Sequence, residues 1–282
     1  MENVILNLAF KYGIPIQKII STNELGLDFQ TSIGESVDGK KWILRVPRRK
    51  NIFSQIQKEQ DHLNFLKSKV SFDVPDWKVV NPELIAYPLL TDKPALEVNP
   101  ATQEFIWNVD LESYKYSQSL GLVLYELHQL TQEAHDFGLP LRTPEKIRKE
   151  LLDEIDLVKT QLGLSNHLEE KWRTWIDDDT YWPSFSTIIH GDLYAGHTLV
   201  NSEERITGII DWSEMQIGDS SIDFAGQYIG LGEVQLDKTL LAYEKLGGRT
   251  WPRMKEHIVQ RALAAPLKFG VFALKAKDDN QI

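Results

Sequence analysis

Two short apolar runs in this chain each end in a carboxylate. The first ends in His190-Gly191-Asp192, and five residues after Asp192 comes His197. The second, Ile206–Ile210, ends in Asp211. Two carboxylates held close together divide labour: one accepts a proton from a reacting group, and the other holds a hard cation. A single Asp after a strand commonly does no more than cap a turn. The chemical reading rests on the joint spacing of HGD, His197, an apolar hairpin and then IIDW.

These residues need a strand, a loop and a hairpin behind them. Thr198–Asn201 and Ile206–Ile210 are β-prone and separated by the polar Ser202-Glu203-Glu204-Arg205, so they are expected to pair and to return Asp211 toward the loop holding Asp192 and His197. Upstream, Val4–Tyr12 has helical apolar spacing, and Leu27–Ser36 and Lys41–Pro47 are β-prone with a turn at Asp38-Gly39. Asn51–Val70 reads as a helix with Ile52, Ile56, Leu63 and Leu66 on one face. A proline-rich stretch around residues 75–96 is a natural hinge. Beyond it, Tyr116, Leu120, Val123, Leu124, Leu127 and Leu130 form a helical stripe, and Thr143-Pro144-Glu145 opens a helix to about Leu162. Another spans about Asn166 to Trp175, and helices follow residue 214 to the end. The expected class is α+β, with a small β-rich lobe carrying one main helix and a larger, mainly helical lobe. The lobes are 1–90 and 93–282, hinged at about 87–92, and the second carries the loop 190–197 and the segment 209–214.

Composition narrows the possibilities. An apolar fraction of 42% over 282 residues supports a sizeable core. With no cysteine, thiol catalysis, disulfides and Cys-based zinc sites are out. The net charge of −10 disfavours nucleic acid and anionic lipid as partners and suits a cationic ligand. No apolar run reaches about 18 residues, so no membrane span is expected. The opening MENVILNLAFKYG lacks a basic stretch followed by a long apolar one, and a cytoplasmic protein is expected. No apolar heptad is evident, and a monomer is expected.

HGDLYAGH, 190–197, resembles the catalytic loop of the protein-kinase-like aminoglycoside and macrolide phosphotransferases. IIDWSEMQIGDSSIDFA, 209–225, is similar to that family's metal-binding segment and the GDxxxD helix start after it. WILRVPRR (42–49), ELGLDFQ (24–30) and AYPLLTDKPAL (86–96) look like the macrolide 2′-phosphotransferases in particular. The resemblance implies a bilobal kinase fold and a phosphoryl transfer that needs an aligned hydroxyl, a metal and neutralised phosphate charge. It implies Asp192 as the residue that orients the acceptor hydroxyl and takes its proton, and Asp211 as the Mg²⁺ ligand. His197 stands where most of the superfamily has Asn. It is either a second metal ligand, direct or through water, or a hydrogen-bonding residue. His190 is expected to brace the loop, and Asp219 and Asp223 to anchor it and cap the next helix.

In the small lobe, Arg45 takes the slot of the phosphate-binding lysine, with Lys41 and Arg48 as alternatives, and Glu59 is placed to pair with it. Gly26 sits in a reduced phosphate loop, and backbone groups of Tyr87, Pro88, Leu89 and Leu90 would hold the base. No GxxxxGK[ST] occurs, which excludes an ordinary P-loop. The family implies GTP as donor, with ATP usable. The acceptor implied is a macrolide, in a wide apolar pocket with a carboxylate near its dimethylamine. Tyr194, Glu214 and Tyr228 are the candidate pocket residues, with Trp251 and Phe269 in the less marked C-terminal region. Two other readings stay open: a kinase of an aminoglycoside or other small-molecule hydroxyl, and a nucleotide-binding pseudokinase scaffold.

Overall fold

The computed structural model describes residues 2–23, 28–99 and 102–278. The chain divides into two compact units, 1–92 with 208–213, and 93–207 with 214–282. The first is sheet-rich and the second mainly helical, which is the expected α+β arrangement.

The first unit runs α1 (Glu2–Lys11), β1 (Ile16–Asn23), β2 (Phe29–Ser36), β3 (Lys41–Pro47), α2 (Phe53–Leu66), β4 (Val79–Val80) and β5 (Ile85–Pro88). Its antiparallel sheet has the order β1-β2-β3-β5-β4. Strand alternation sorts the side chains of β3 and β5 between two layers. Leu44 and Ala86 join Ile5 and Ala9 of α1 in one apolar cluster. Ile43, Ile85 and Tyr87 pack with Ile52 and Ile56 on the α2 side. Arg45 has the parity of Ile43, so the same alternation turns it toward α2.

The segment 208–213 was expected with the helical lobe, yet its contacts group it with the first unit. Gly208 bridges Asp73, and the Ile209 N–H donates to the Asp73 carbonyl at 2.9 Å. The His62 Nδ1–H donates to the Trp212 carbonyl at 2.7 Å, and the fully buried Trp212 ring stacks on Phe72. Burial of that large indole against Phe72 ties the segment to the first unit.

The second unit begins with β6 (Lys93–Pro94), β7 (Leu96–Val98) and β8 (Phe105–Trp107), followed by α3 (Lys115–Gln129), α4 (Thr131–Phe137), α5 (Pro144–Gln161) and α6 (Asn166–Asp177). Then come β9 (Thr187–Ile189), β10 (Thr198–Val200), β11 (Ile206–Ile209) and β12 (Gln216–Gly218), before α7 (Ser221–Lys245), α8 (Met254–Leu263) and α9 (Ala265–Asp278). β10 lies between β11 and β6, and β9 pairs antiparallel with β12. The Thr143 hydroxyl caps α5, accepting from the Lys146 N–H, with Pro144 in the first turn. Ile147, Leu151, Ile155 and Val158 of α5 build a core with Trp172, Trp175 and Ile176 of α6 and Leu267 and Val271 of α9. Among the described residues no helix is long and apolar enough to cross a membrane.

Helices α3 and α7 approach closely at Gly121. A Cβ there would stand 2.7 Å from the Ala242 Cβ and 2.8 Å from the Thr239 carbonyl oxygen. Backbone must move to admit any side chain, so Gly121→Val is expected to cost about 1–3 kcal/mol, read as a lower urea midpoint at unchanged m-value.

Candidate active site

Strand β9 is buried along its whole length and delivers His190, Gly191 and Asp192 from its end. The loop that follows is fixed through its main chain. Asp223, fully buried on α7, accepts the His190 N–H on Oδ2 at 2.8 Å and the Gly191 N–H on Oδ1 at 2.9 Å. Gly191 has φ +91°, and a Cβ there would meet the Glu214 carbonyl at 2.5 Å, so both conformation and space require glycine. The Asp192 N–H donates to His190 Nδ1 at 3.2 Å. His197 Nδ1 lies 2.8 Å from the Asp192 carbonyl; a carbonyl only accepts, so Nδ1 carries a proton and donates it there. The His197 ring packs against Tyr194 at 4.3 Å between centroids. Both main-chain groups of Asp192 are thus held, while its side chain is 63% exposed. The result is a carboxylate presented to solvent from a rigid loop, an arrangement suited to receiving a proton from a hydroxyl.

Helix α7 begins with a buried charge cluster. Asp219 accepts the Ser221 N–H at 2.9 Å and is paired with Arg261 and His257 of α8. Burial alone would raise the Asp219 carboxyl; the Arg261 guanidinium and His257 outweigh it and hold it below the usual carboxylate range. The Trp175 indole N–H donates to His257 Nδ1 at 3.0 Å, which leaves the proton on Nε2, 2.8 Å from Asp219 Oδ2. Burial lowers the His257 imidazole below its ordinary 6.5, and Asp219 only partly opposes that.

Stability should follow. An unfolded imidazole takes up a proton near pH 6.5 while the buried one resists, so what His257 contributes is present above that pH. It is lost as the pH falls from there through the lower folded value. Thermal melts are expected to show Tm declining below about pH 6.5, with a shallower decline in His257→Gln, whatever the absolute Tm of the variant.

In the first unit, Arg45 Nη1 donates to Glu59 Oε1 at 2.9 Å, with the two side chains 13% and 4% exposed. The guanidinium lies 4.1 Å from the centre of the Phe29 ring. Burial would lower Arg45, but the carboxylates of Glu59 and Asp211 raise it above its ordinary value. Burial pushes the Tyr87 phenol up to about 12, against the opposing influence of Arg45. Asp211 sits at φ +64°, a left-handed conformation that Asp tolerates better than most residues, and its Oδ1 accepts from the Ser213 hydroxyl at 3.0 Å.

The other expected residues are placed as follows. Lys41 and Arg48 are exposed. Gly26 lies outside the described residues. Tyr87 is buried in β5, and Pro88 and Leu90 are half-buried. The Leu89 N–H is committed to the Lys41 carbonyl at 2.9 Å, which takes that donor away from base recognition. Tyr194 stays half-exposed beside Asp192 and His197. Glu214 is exposed and meets the loop through its backbone against Gly191. Tyr228 instead lines a void of about 10 Å³ between α3 and α7. Trp251 donates to the Tyr181 carbonyl, and Phe269 is exposed. A cavity of about 340 Å³ opens at Ser186, before the start of β9, lined by Thr131, His135, Phe185 and Ile217; none of the expected acceptor residues lines it. Among the described residues no group of three or more His, Asp or Glu side chains is arranged to hold a metal.

Sequence reasoning missed His257 and Arg261. Their spacing of four puts them on one helix face, but the partner that gives them meaning lies 38 and 42 residues upstream.

A model of the phosphotransferase enzyme family matches residues 20–257. The uncharacterized protein YcbJ of Bacillus subtilis (strain 168) is 36% identical over 99% of this chain and 92% of its own length. Among solved structures, a macrolide 2′-phosphotransferase type I superposes with a TM-score of 0.91 at 38% identity, over 98% of this chain and 92% of that one. The apoenzyme of the macrolide 2′-phosphotransferase MphH from Brachybacterium faecium does so with a TM-score of 0.86 at 34% identity, over 98% and 93%.

Proposed function

The chain belongs to the phosphotransferase enzyme family, the small-molecule kinases, and on that premise we propose that it phosphorylates macrolide antibiotics. In this reading the γ-phosphoryl of GTP, with ATP also usable, passes to the 2′-hydroxyl of the desosamine sugar. The O–H bond and the bond from the γ-phosphorus to its bridging oxygen break, a new P–O bond forms, and the products are the phosphoester, the nucleoside diphosphate and a proton. The modified drug is inactivated.

The observation that carries the reading is the Asp192 loop: an exposed carboxylate whose backbone is locked by Asp223, His190 and His197. Asp192 orients the acceptor hydroxyl and receives its proton. Similarity at 38% and 34% identity to macrolide 2′-phosphotransferases supports the choice of acceptor. Arg45, set by Glu59, faces the donor phosphates.

Asp211 would hold a magnesium ion through its carboxylate, and His197 is assigned as a second ligand, direct or through water. When bound, Mg²⁺ neutralises phosphate charge and orients the donor. Tyr194 and Glu214 are assigned to the acceptor side. A monomer acting in the cytoplasm completes the reading.

The test is product formation by mass spectrometry with Mg²⁺, GTP or ATP, and a panel of macrolides and aminoglycosides. One phosphate gained on a macrolide, and absent with Asp192→Ala, is the expected result. Gain on aminoglycosides alone would move the acceptor assignment. Nucleotide binding without transfer to any acceptor would sink the reading and favour a scaffold.

A further inference from the structure

We infer that Arg261, seated by His257, is a positioning residue that sets the Asp192 loop through the first turn of α7. The inference deepens the proposed reaction and rests on it for its kinetic part only.

The linkage can be followed atom by atom within the second unit. Arg261 Nε donates to the Ser221 hydroxyl at 2.8 Å, and its Nη2 donates to Asp219 Oδ2. His257 Nε2 donates to the same carboxylate oxygen, while Asp219 Oδ1 takes the Ser221 N–H. These contacts fix the start of α7, at Asp219 just before the helix and at Ser221, its first residue. Two residues beyond Ser221, in the same turn, Asp223 holds the His190 and Gly191 amides, and Asp192 follows directly. Rotation or sliding of the first turn therefore carries the catalytic loop with it.

Capping α7 would need only Asp219. A buried guanidinium beside a buried carboxylate adds little net stability, because desolvation offsets much of the attraction. What the fork of Arg261 adds is geometry: two donors reach two different acceptors, Ser221 and Asp219, and so fix the helix start in rotation as well as height. His257 removes the remaining freedom of the carboxylate. It is itself fixed by the Trp175 indole N–H and by the Trp182 ring, T-shaped at 4.6 Å.

The test uses the full-length chain with Arg261→Lys and, as a milder cut of the same link, Ser221→Ala. Lysine keeps the charge but cannot reach both acceptors. Two readouts are taken: hydrogen exchange of the His190 and Gly191 amides against those of α5, and kcat and KM for nucleotide. The expected result in both variants is exchange at 190 and 191 faster by roughly tenfold or more with α5 unchanged. With it, kcat should fall about tenfold while nucleotide KM holds. Unchanged exchange at 190 and 191 would overturn the inference, and so would a rise shared equally by α5. Unchanged kcat beside faster local exchange would overturn it as well. A parent protein that phosphorylates no acceptor, while its variants still loosen 190 and 191 selectively, would leave the linkage standing and sink the proposed reaction instead.

Discussion

Asp192→Ala is expected to lower turnover by roughly 10²- to 10⁴-fold, the range associated with losing a positioned general base, and to leave folding nearly untouched. The second half of that expectation follows from how the loop is held. Asp223 grips the amides of His190 and Gly191, His190 receives the Asp192 amide, and His197 donates to the Asp192 carbonyl. All of these are main-chain contacts that an alanine preserves. The carboxylate itself is mostly exposed, and its approach to His197 Nδ1 is 3.8 Å. A shift in stability within about 0.5 kcal/mol is therefore expected by urea titration, with nucleotide affinity by calorimetry equal to the parent's. Turnover retained in the variant would remove Asp192 from the reaction. A large loss of stability would show that the carboxylate has a structural task its exposure does not reveal.

Glu59→Ala is expected to act on stability first. It strips the partner from a guanidinium that is 13% exposed and stacked on Phe29, leaving a buried charge without its main compensation. Losses of about 3–5 kcal/mol are usual when one member of such a pair is removed. Asp211 also acts electrostatically on Arg45, so part of the charge stays compensated and the lower end of that range is expected. The double replacement Arg45→Met with Glu59→Leu separates structure from chemistry. Both charges go, apolar volume stays, and the urea midpoint should recover most of the loss. If turnover stays low in the double variant, the pair serves the phosphates. If turnover recovers with stability, Arg45 is a structural residue and the phosphate role passes to another basic group.

Much of this site was legible because its parts are local. The HGD loop, the hairpin beyond it and the Thr143-Pro144 helix start are each specified within a few residues, by turn chemistry and apolar alternation. Other features escaped for physical reasons. Strand β1 lies at the sheet edge with most of its residues exposed, so it lacks the alternation that marks a half-buried strand. The commitment of the Leu89 amide to Lys41 follows from sheet register, which no local pattern records. His257 and Arg261 looked like ordinary residues of an amphipathic helix until the fold brought Asp219 beside them. Short-range chemistry shows in a sequence; a residue whose meaning depends on a partner dozens of positions away does not.

The discontinuous first unit bears on how the chain is made. Trp212, its companion Phe72 and the His62 hydrogen bond belong to one packed assembly, but Trp212 is synthesised long after the rest of that unit has left the ribosome. The emerging amino-terminal sheet therefore waits with a side-chain socket unfilled, its completion timed by translation of the opposite unit. A fragment ending at residue 92 is for the same reason a poor vehicle for expressing the first unit by itself. Joining 208–213 to that fragment through a designed linker is the rational alternative.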